Sequence, residues 1–180
     1  MKIQKLIIKN YKIFKDIKID MNEDMNIFIG QNNSGKTTIL EAISLVLTGK
    51  LNGINIMQRL TCDWFNKESR KKYTDSLKES IKSELPSIII EAYFFKDEKD
   101  PQLLKFKGAN NSLHEDTAGI RLCIEFDDEN YQFTYNEMLK NNNITDIPID
   151  FYKVEIFNFA GAKFSNLLIS KKIGIIRLGH

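Results

Sequence analysis

The chain has few cysteines, no excess of either charge and no long apolar run, and each shortage removes a class of protein. Its two cysteines, Cys62 and Cys123, lie far apart without CxxC spacing. They read as reduced thiols of a cytoplasmic protein, not as a disulfide framework. Twenty-six basic against 24 acidic residues leave a formal net charge of +2. The overall field therefore demands neither a nucleic-acid nor a membrane partner. No apolar stretch approaches the ~20 residues that a membrane-spanning helix needs. The opening "MKIQKLIIKNYKIFK" interleaves lysine with its apolar residues, so it has no signal-peptide core. Internal repeats and low-complexity linkers are absent as well.

What is present suits one domain, residues 1–180, with a real core. Ile3 to Phe14 and Asp16 to Met21 mix β-branched residues with lysines, as strands with one wet face do. Met25 to Ile29 reads as a short buried strand ending at Gly30. Lys36 to Thr48 reads as a helix with a wide apolar face (Ile39, Leu40, Ile43, Val46, Leu47) and a glycine stop at Gly49. Asn52 to Phe65 looks irregular, with Trp64 and Phe65 as anchors. Tyr73, Leu77, Ile81 and Leu85 recur every four residues and predict a second, outlying helix that Pro86 ends.

Ile88 to Phe95 is strand-like, and Lys96 to Thr117 is polar loop. Ile120, Leu122, Ile124 and Phe126 alternate with polar residues. After the turn "DDEN", Phe133 and Tyr135 alternate again, which predicts a β-hairpin. Phe151 to Phe159 and Ile173 to Ile176 are further strand candidates. The expected class is α/β with a mixed, parallel plus antiparallel, sheet.

The sharpest signal is "GQNNSGKT", Gly30 to Thr37, a full match to G-x-x-x-x-G-K-[ST]. Glycines let the backbone approach a phosphate without a Cβ in the way. The N–H groups of Gln31, Asn32, Asn33, Ser34, Gly35, Lys36, Thr37 and Thr38 can turn inward on it, aided by the positive end of the following helix. Lys36 is the catalytic candidate, reaching the β- and γ-oxygens. The Thr37 hydroxyl is the candidate Mg²⁺ ligand. An apolar stretch before and an apolar helix after supply the context that a phosphate-binding P-loop requires.

Other parts must decide which nucleotide machine this is. "DTAG", Asp116 to Gly119, imitates the γ-phosphate sensor of small GTPases, but polar residues precede it. A guanine-reading N-K-x-D is missing, because "NKES" places Ser69 where the aspartate belongs. "LCIEFDDE" imitates a Walker B strand with Asp127 on the metal, yet Arg121 and Glu125 interrupt its apolar faces. Glu91 in "SIIIEAYFF" is read as part of a core strand. A complete small P-loop NTPase using Asp116 or Asp127 as its metal-side acid stays open as the alternative.

"IKNYKIFKDIKI" followed by "IFIGQNNSGKTTILEAISLVL" resembles the opening of the ABC-type ATPase head shared by RecF and SMC-like proteins and by the OLD (overcoming lysogenization defect) family. Asn10, Tyr11, Lys12 and Phe14 occupy that group's "N-[FY]-[RK]-x-F"-like stretch. "LTCDWFNKE" and "IPIDFYKVEIFNFAGAKF" resemble the OLD ATPase domain in particular, so that the likeness runs to about Phe164. The resemblance implies ATP with Mg²⁺, a homodimer that sandwiches ATP between two heads, and DNA processing or phage defence, with no membrane. It also implies a signature helix, a Walker B strand with a catalytic glutamate, a switch histidine and a TOPRIM nuclease domain. None of these is recognisable, so the chain is expected to be an N-terminal part of such a head, and "IRLGH" a tag remnant. ATP binding with negligible turnover is then expected of the chain alone.

The remaining candidates have plainer readings. Lys12 is a possible nucleotide contact, but a solvated strand lysine is the simpler expectation. The six lysines between Lys2 and Lys18 make either a DNA-facing stripe or a wet sheet face, and no aromatic platform accompanies them. His114 sits in a polar loop without partners at metal-ligand spacing.

Overall fold

Strand β1 (Ile3–Tyr11) and strand β2 (Phe14–Asp20) form an antiparallel hairpin. Its reversal is tight because Asn10 and Lys12 take positive φ, 59° and 49°. The computed structural model of the protein describes residues 1–78, 84–96 and 100–163.

Helix α1 spans Lys36–Thr48, the span its periodicity predicts. Ala42, Leu45 and Val46 are fully buried, and Gly49 ends the helix in the left-handed region at φ 60°, its N–H donating to Leu45 O. A short hairpin of β3 (Lys50–Leu51) and β4 (Ile54–Asn55) follows. Helix α2 (Lys67–Lys78) buries only Tyr73. Next come β5 (Ile88–Phe94), β6 (Lys107–Gly108), β7 (Thr117–Phe126), helix α3 (Asp128–Lys140) and β8 (Tyr152–Asn158).

These strands build a six-stranded sheet in the order β2-β1-β5-β7-β6, with β8 also on β7. Every described pairing is antiparallel, so the expected parallel component is not among them. One face buries Leu6, Ile8, Ile90, Leu122 and Ile124 against α1. Truncating a fully buried leucine such as Leu45 to alanine costs about 2–5 kcal/mol. The opposite face is polar in its centre. Across it Lys18, Ile7, Glu91, Arg121 and Phe157 stand in register.

Two expectations fail, each for a physical reason. Met25 to Ile29 is not a strand. Met25, Ile27 and Ile29 are 71%, 72% and 91% exposed, and among the described residues no strand pairs with them. Apolar content does not make a strand unless a neighbour completes its ladder.

The predicted hairpin after β7 is the helix α3. "DDEN" is a helix start, with Asp127 at the N-cap position and Asp128 and Glu129 in the first turn, where the dipole favours acids. The spacing of Tyr131, Tyr135 and Leu139 at four residues overrides the two-residue alternation of Phe133 and Tyr135. Finally, α2 is described only to Lys78, and residues 84–87 carry no regular structure before β5. Ile81, the strand candidate Ile173 to Ile176 and the C-terminal "IRLGH" lie outside the described residues.

Candidate functional site: the loop between Gly30 and Thr38

Residues 30–35 form a loop of bends and turns that leads into α1. Ser34 N donates to Gln31 O at 3.3 Å, and Asn33 takes φ 65°. Gly35 is the N-cap of α1 at φ 93°, a conformation that suits glycine and strains other residues. A Cβ at Gly30 would sit 2.7 Å from Ser34 Oγ. One at Gly35 would sit 2.4 Å from the Phe14 ring and 2.6 Å from Ile13. Gly35 is favoured by its backbone conformation as well as by space, and it lets the β1–β2 turn rest directly on the loop; at Gly30 a Cβ would displace only the Ser34 hydroxyl.

The amino end of α1 has no side-chain cap and no acidic residue in its first turn. Its leading N–H groups and dipole are left to an anion. The Lys36 ammonium folds back over the loop, donating to Gly30 O at 2.5 Å and to Gln31 O at 2.7 Å. Ser34 Oγ lies 3.5 Å away. Thr37 is exposed beside it, whereas Thr38 is 8% exposed and turned to the core. The uncapped helix, the cradle a Cβ would fill and a lysine held across the loop fit a nucleotide's phosphates. The exposed Thr37 hydroxyl is a hard oxygen of the kind Mg²⁺ takes.

Lys12 is neither free nor a mere strand lysine. Its ammonium donates to Glu41 Oε2 of α1 at 2.5 Å and lies 5.5 Å over the Tyr11 ring. The Tyr11 hydroxyl donates to the same carboxylate at 3.4 Å. Burial, then the Glu41 charge, pushes that hydroxyl well above its ordinary range, so it stays a neutral donor. Glu41 escaped the sequence reading because only the chain reversal at Lys12 brings it near. Trp64 and Phe65 do anchor the next loop. Trp64 O accepts from Lys12 N at 2.7 Å, and its ring meets Tyr11 edge-on.

Asp116 is not brought to this loop, and no described contact joins Asp127 to it. Asp116 pairs with Lys107 at 3.0 Å, just before β7. Its neighbour Glu115 lies 3.5 Å from Lys5, which is roughly 20 Å along β1 from the turn that meets Gly35. Asp127 accepts from Asn130 Nδ2 at 2.7 Å and lies 3.9 Å from Lys153 Nζ. The strand before it, β7, is antiparallel to both β5 and β8, unlike a Walker B strand in a parallel sheet.

Glu91 is fully buried. It accepts from Tyr93 Oη at 2.9 Å and from Ser112 N at 3.0 and 3.1 Å, and it lies 3.6 Å from Arg121 Nε. It is a clamp between the sheet and the segment around Ser112. A lone acid in the run "SIIIEAYFF" was its signal.

The early lysines are mostly paired: Lys2 with Glu23, Lys5 with Glu115 and Lys15 with Glu68. That leaves little of a DNA-facing stripe. His114 is exposed at φ 54°, and no group of three or more metal-binding side chains occurs among the described residues. Both cysteines are free thiols. No described helix is long and apolar enough to cross a membrane.

The chain is similar to known ATPases. Residues 1–175 match the AAA ATPase domain family. The chain is 36% identical over 70 residues to the DNA replication and repair protein RecF of Lactococcus lactis subsp. cremoris, a stretch that covers 39% of this chain and 19% of that protein. It is 52% identical over 48 residues to an ATP/GTP phosphatase of Helicobacter pylori, covering 27% of this chain and 13% of that one. The matched stretch is thus about a fifth or less of the length of these curated relatives. A solved structure from work on ATP-driven dimerization and DNA-stimulated activation of SMC ATPases aligns with a TM-score of 0.49 at 17% identity, covering 92% of this chain and 73% of that one.

Proposed function

The chain belongs to the AAA ATPase domain family, and from that premise we propose that its P-loop binds ATP together with Mg²⁺ as part of a RecF- or SMC-like DNA-processing ATPase. The observation that carries the reading is the uncapped, acid-free amino end of α1 behind Gly35, whose φ of 93° and close contact with the Phe14 ring leave little room for a Cβ. The amides from Gln31 to Thr38 cradle the phosphates, Lys36 neutralises the β- and γ-oxygens, and Thr37 ligates the metal. Bound Mg²⁺ would supply charge neutralisation at those oxygens.

Lys36 has to leave Gly30 O and Gln31 O to do this, exchanging two carbonyl acceptors for charged ones. Charge-assisted hydrogen bonds are the stronger kind, so the exchange is favourable. The Lys12–Glu41 pair and the Ile13–Phe14 turn hold the loop's rear wall while it happens.

In the complete protein this domain is read as the N-terminal part of an ATPase head whose water-activating base, Walker B acid and signature motif are supplied from elsewhere. ATP then closes a homodimer, and hydrolysis opens it. The narrower reading, an OLD-like ATPase-nuclease acting on DNA or in phage defence, rests on "LTCDWFNKE" and "IPIDFYKVEIFNFAGAKF".

Calorimetry with Mg-ATP and Mg-GTP on the 180-residue chain tests this. The expected result is ATP binding that Lys36→Ala abolishes, with negligible hydrolysis. Absence of heat with either nucleotide overturns the site. Strong GTP preference, or a robust rate lost in Lys36→Ala, overturns the division of the catalytic machinery.

A further inference from the structure

We propose that the outer edge of β2 is a self-pairing interface, on which a second copy of this chain adds its own β2 antiparallel and continues the sheet. β2 ends the strand order, and among the described residues its only strand partner is β1. Lys15, Asp16, Lys18 and Asp20 are exposed along it, and Ile17 and Ile19 are half-buried. A row of unpaired N–H and C=O groups on such an edge is a template for another strand.

The charge order selects the occupant. Outward-facing backbone groups belong to alternate residues. Two identical antiparallel strands therefore pair about an axis that passes through a residue, not between two. In "FKDIKID" the middle residue is Ile17, and an axis through it engages all seven residues. That register sets Asp16 of each copy opposite Lys18 of the other, twice over, with Ile17 facing Ile17. The other registers are worse. An axis through Asp16 opposes two aspartates. One through Lys15 or Lys18 opposes two lysines. One through Ile19 matches Lys18 with Asp20 but leaves Phe14 to Ile17 opposite residues beyond the strand.

Directly opposed side chains lie about 4.5–5.5 Å apart at Cβ, close enough for unlike charges to attract and like charges to repel. Lys15 is engaged with Glu68 at 2.8 Å, whereas Asp16 and Lys18 form no ion pair among the described residues. An edge lysine ordinarily deters a foreign strand. Here it admits the strand that brings an aspartate to it. The contact needs no nucleotide, which separates it from a dimer closed by ATP.

The test is sedimentation velocity of the 180-residue chain in nucleotide-free buffer. A contact one strand long is at the small end of protein interfaces, so the dimer should populate at about 100 μM and not at nanomolar concentration. Asp16→Lys and Lys18→Asp should each weaken it about tenfold or more, because each opposes like charges twice. The double exchange should restore the dimer, and so should an equimolar mixture of the two single variants. Asp16 stands opposite Lys9 in the β1–β2 ladder, so melting temperatures are measured alongside. Lys18 stands opposite Ile7, and Lys18→Asp brings no like charge onto β1. A chain that stays monomeric, or a dimer that forms only with Mg-ATP, overturns the proposal. So does a dimer indifferent to both single variants, more sensitive to Asp20→Lys than to Asp16→Lys, or restored by neither the exchange nor the mixture.

Discussion

The Lys12 ammonium and the Glu41 carboxylate, 2.5 Å apart, tie the β1–β2 turn to the second turn of α1. Because Ile13 and Phe14 of that turn rest on Gly35, the pair positions the phosphate loop without belonging to it. Lys12→Met is expected to lower stability by about 1–2 kcal/mol, since both groups are largely but not wholly buried. It should weaken Mg-ATP severalfold, less than Lys36→Ala does. Urea melts and calorimetry on the two variants check the order.

Gly35→Ala forces a Cβ to within 2.4 Å of the Phe14 ring at φ 93°. The expected cost is about 2–4 kcal/mol, with loss of nucleotide binding. Gly53→Ala is the control. Its φ is 80°, but nothing lies within 4 Å of the added Cβ, so strain alone should cost about 1 kcal/mol and leave binding intact. Equal effects of the two would show that loop packing plays no part.

Removing the Glu91 carboxylate strands Arg121 and the donors of Tyr93 and Ser112 in a dry environment. Glu91→Ala should destabilise by about 3–5 kcal/mol, and Glu91→Gln by less because it keeps an acceptor. Denaturant unfolding measures both. ATP affinity per folded molecule should not change.

Acid should weaken the hold of α2. Burial pushes the Asp146 carboxyl up, but hydrogen bonds from Arg70, at 3.0 Å from Nε, outweigh it and leave the group below its ordinary 3.8. A depressed folded-state value means that the stabilisation is present above about pH 4 and is lost as pH falls through the folded value. Arg70 is about one-third exposed, so the contribution is modest, about 1 kcal/mol. Asp146→Asn should be less stable than the parent at pH 7, with the gap closing below pH 4 in melts across that range.

How much of this was legible depended on how far apart in the chain the partners lie. Helix α1 and its stop at Gly49 could be read to the residue, because the apolar spacing and the glycine are local. The loop at residues 30–35 was legible for the same reason. The stretch after β7 was misread because two aromatics, Phe133 and Tyr135, imitate strand alternation, while the acids that start α3 look like a turn. Met25 to Ile29 was misread because pattern records what a segment prefers to bury, not whether a neighbour is there to bury it. Glu41 and Asp146 were invisible, since their partners lie 29 and 76 residues away.

The Lys36 ammonium, held by Gly30 O and Gln31 O, has a consequence for anion choice. An incoming anion competes with two carbonyls already in place. A singly charged ion such as chloride offers too little to displace them. A triphosphate, with several negative oxygens within reach, offers enough. On the proposed reading, the resting loop would therefore favour a polyanion over a monoanion.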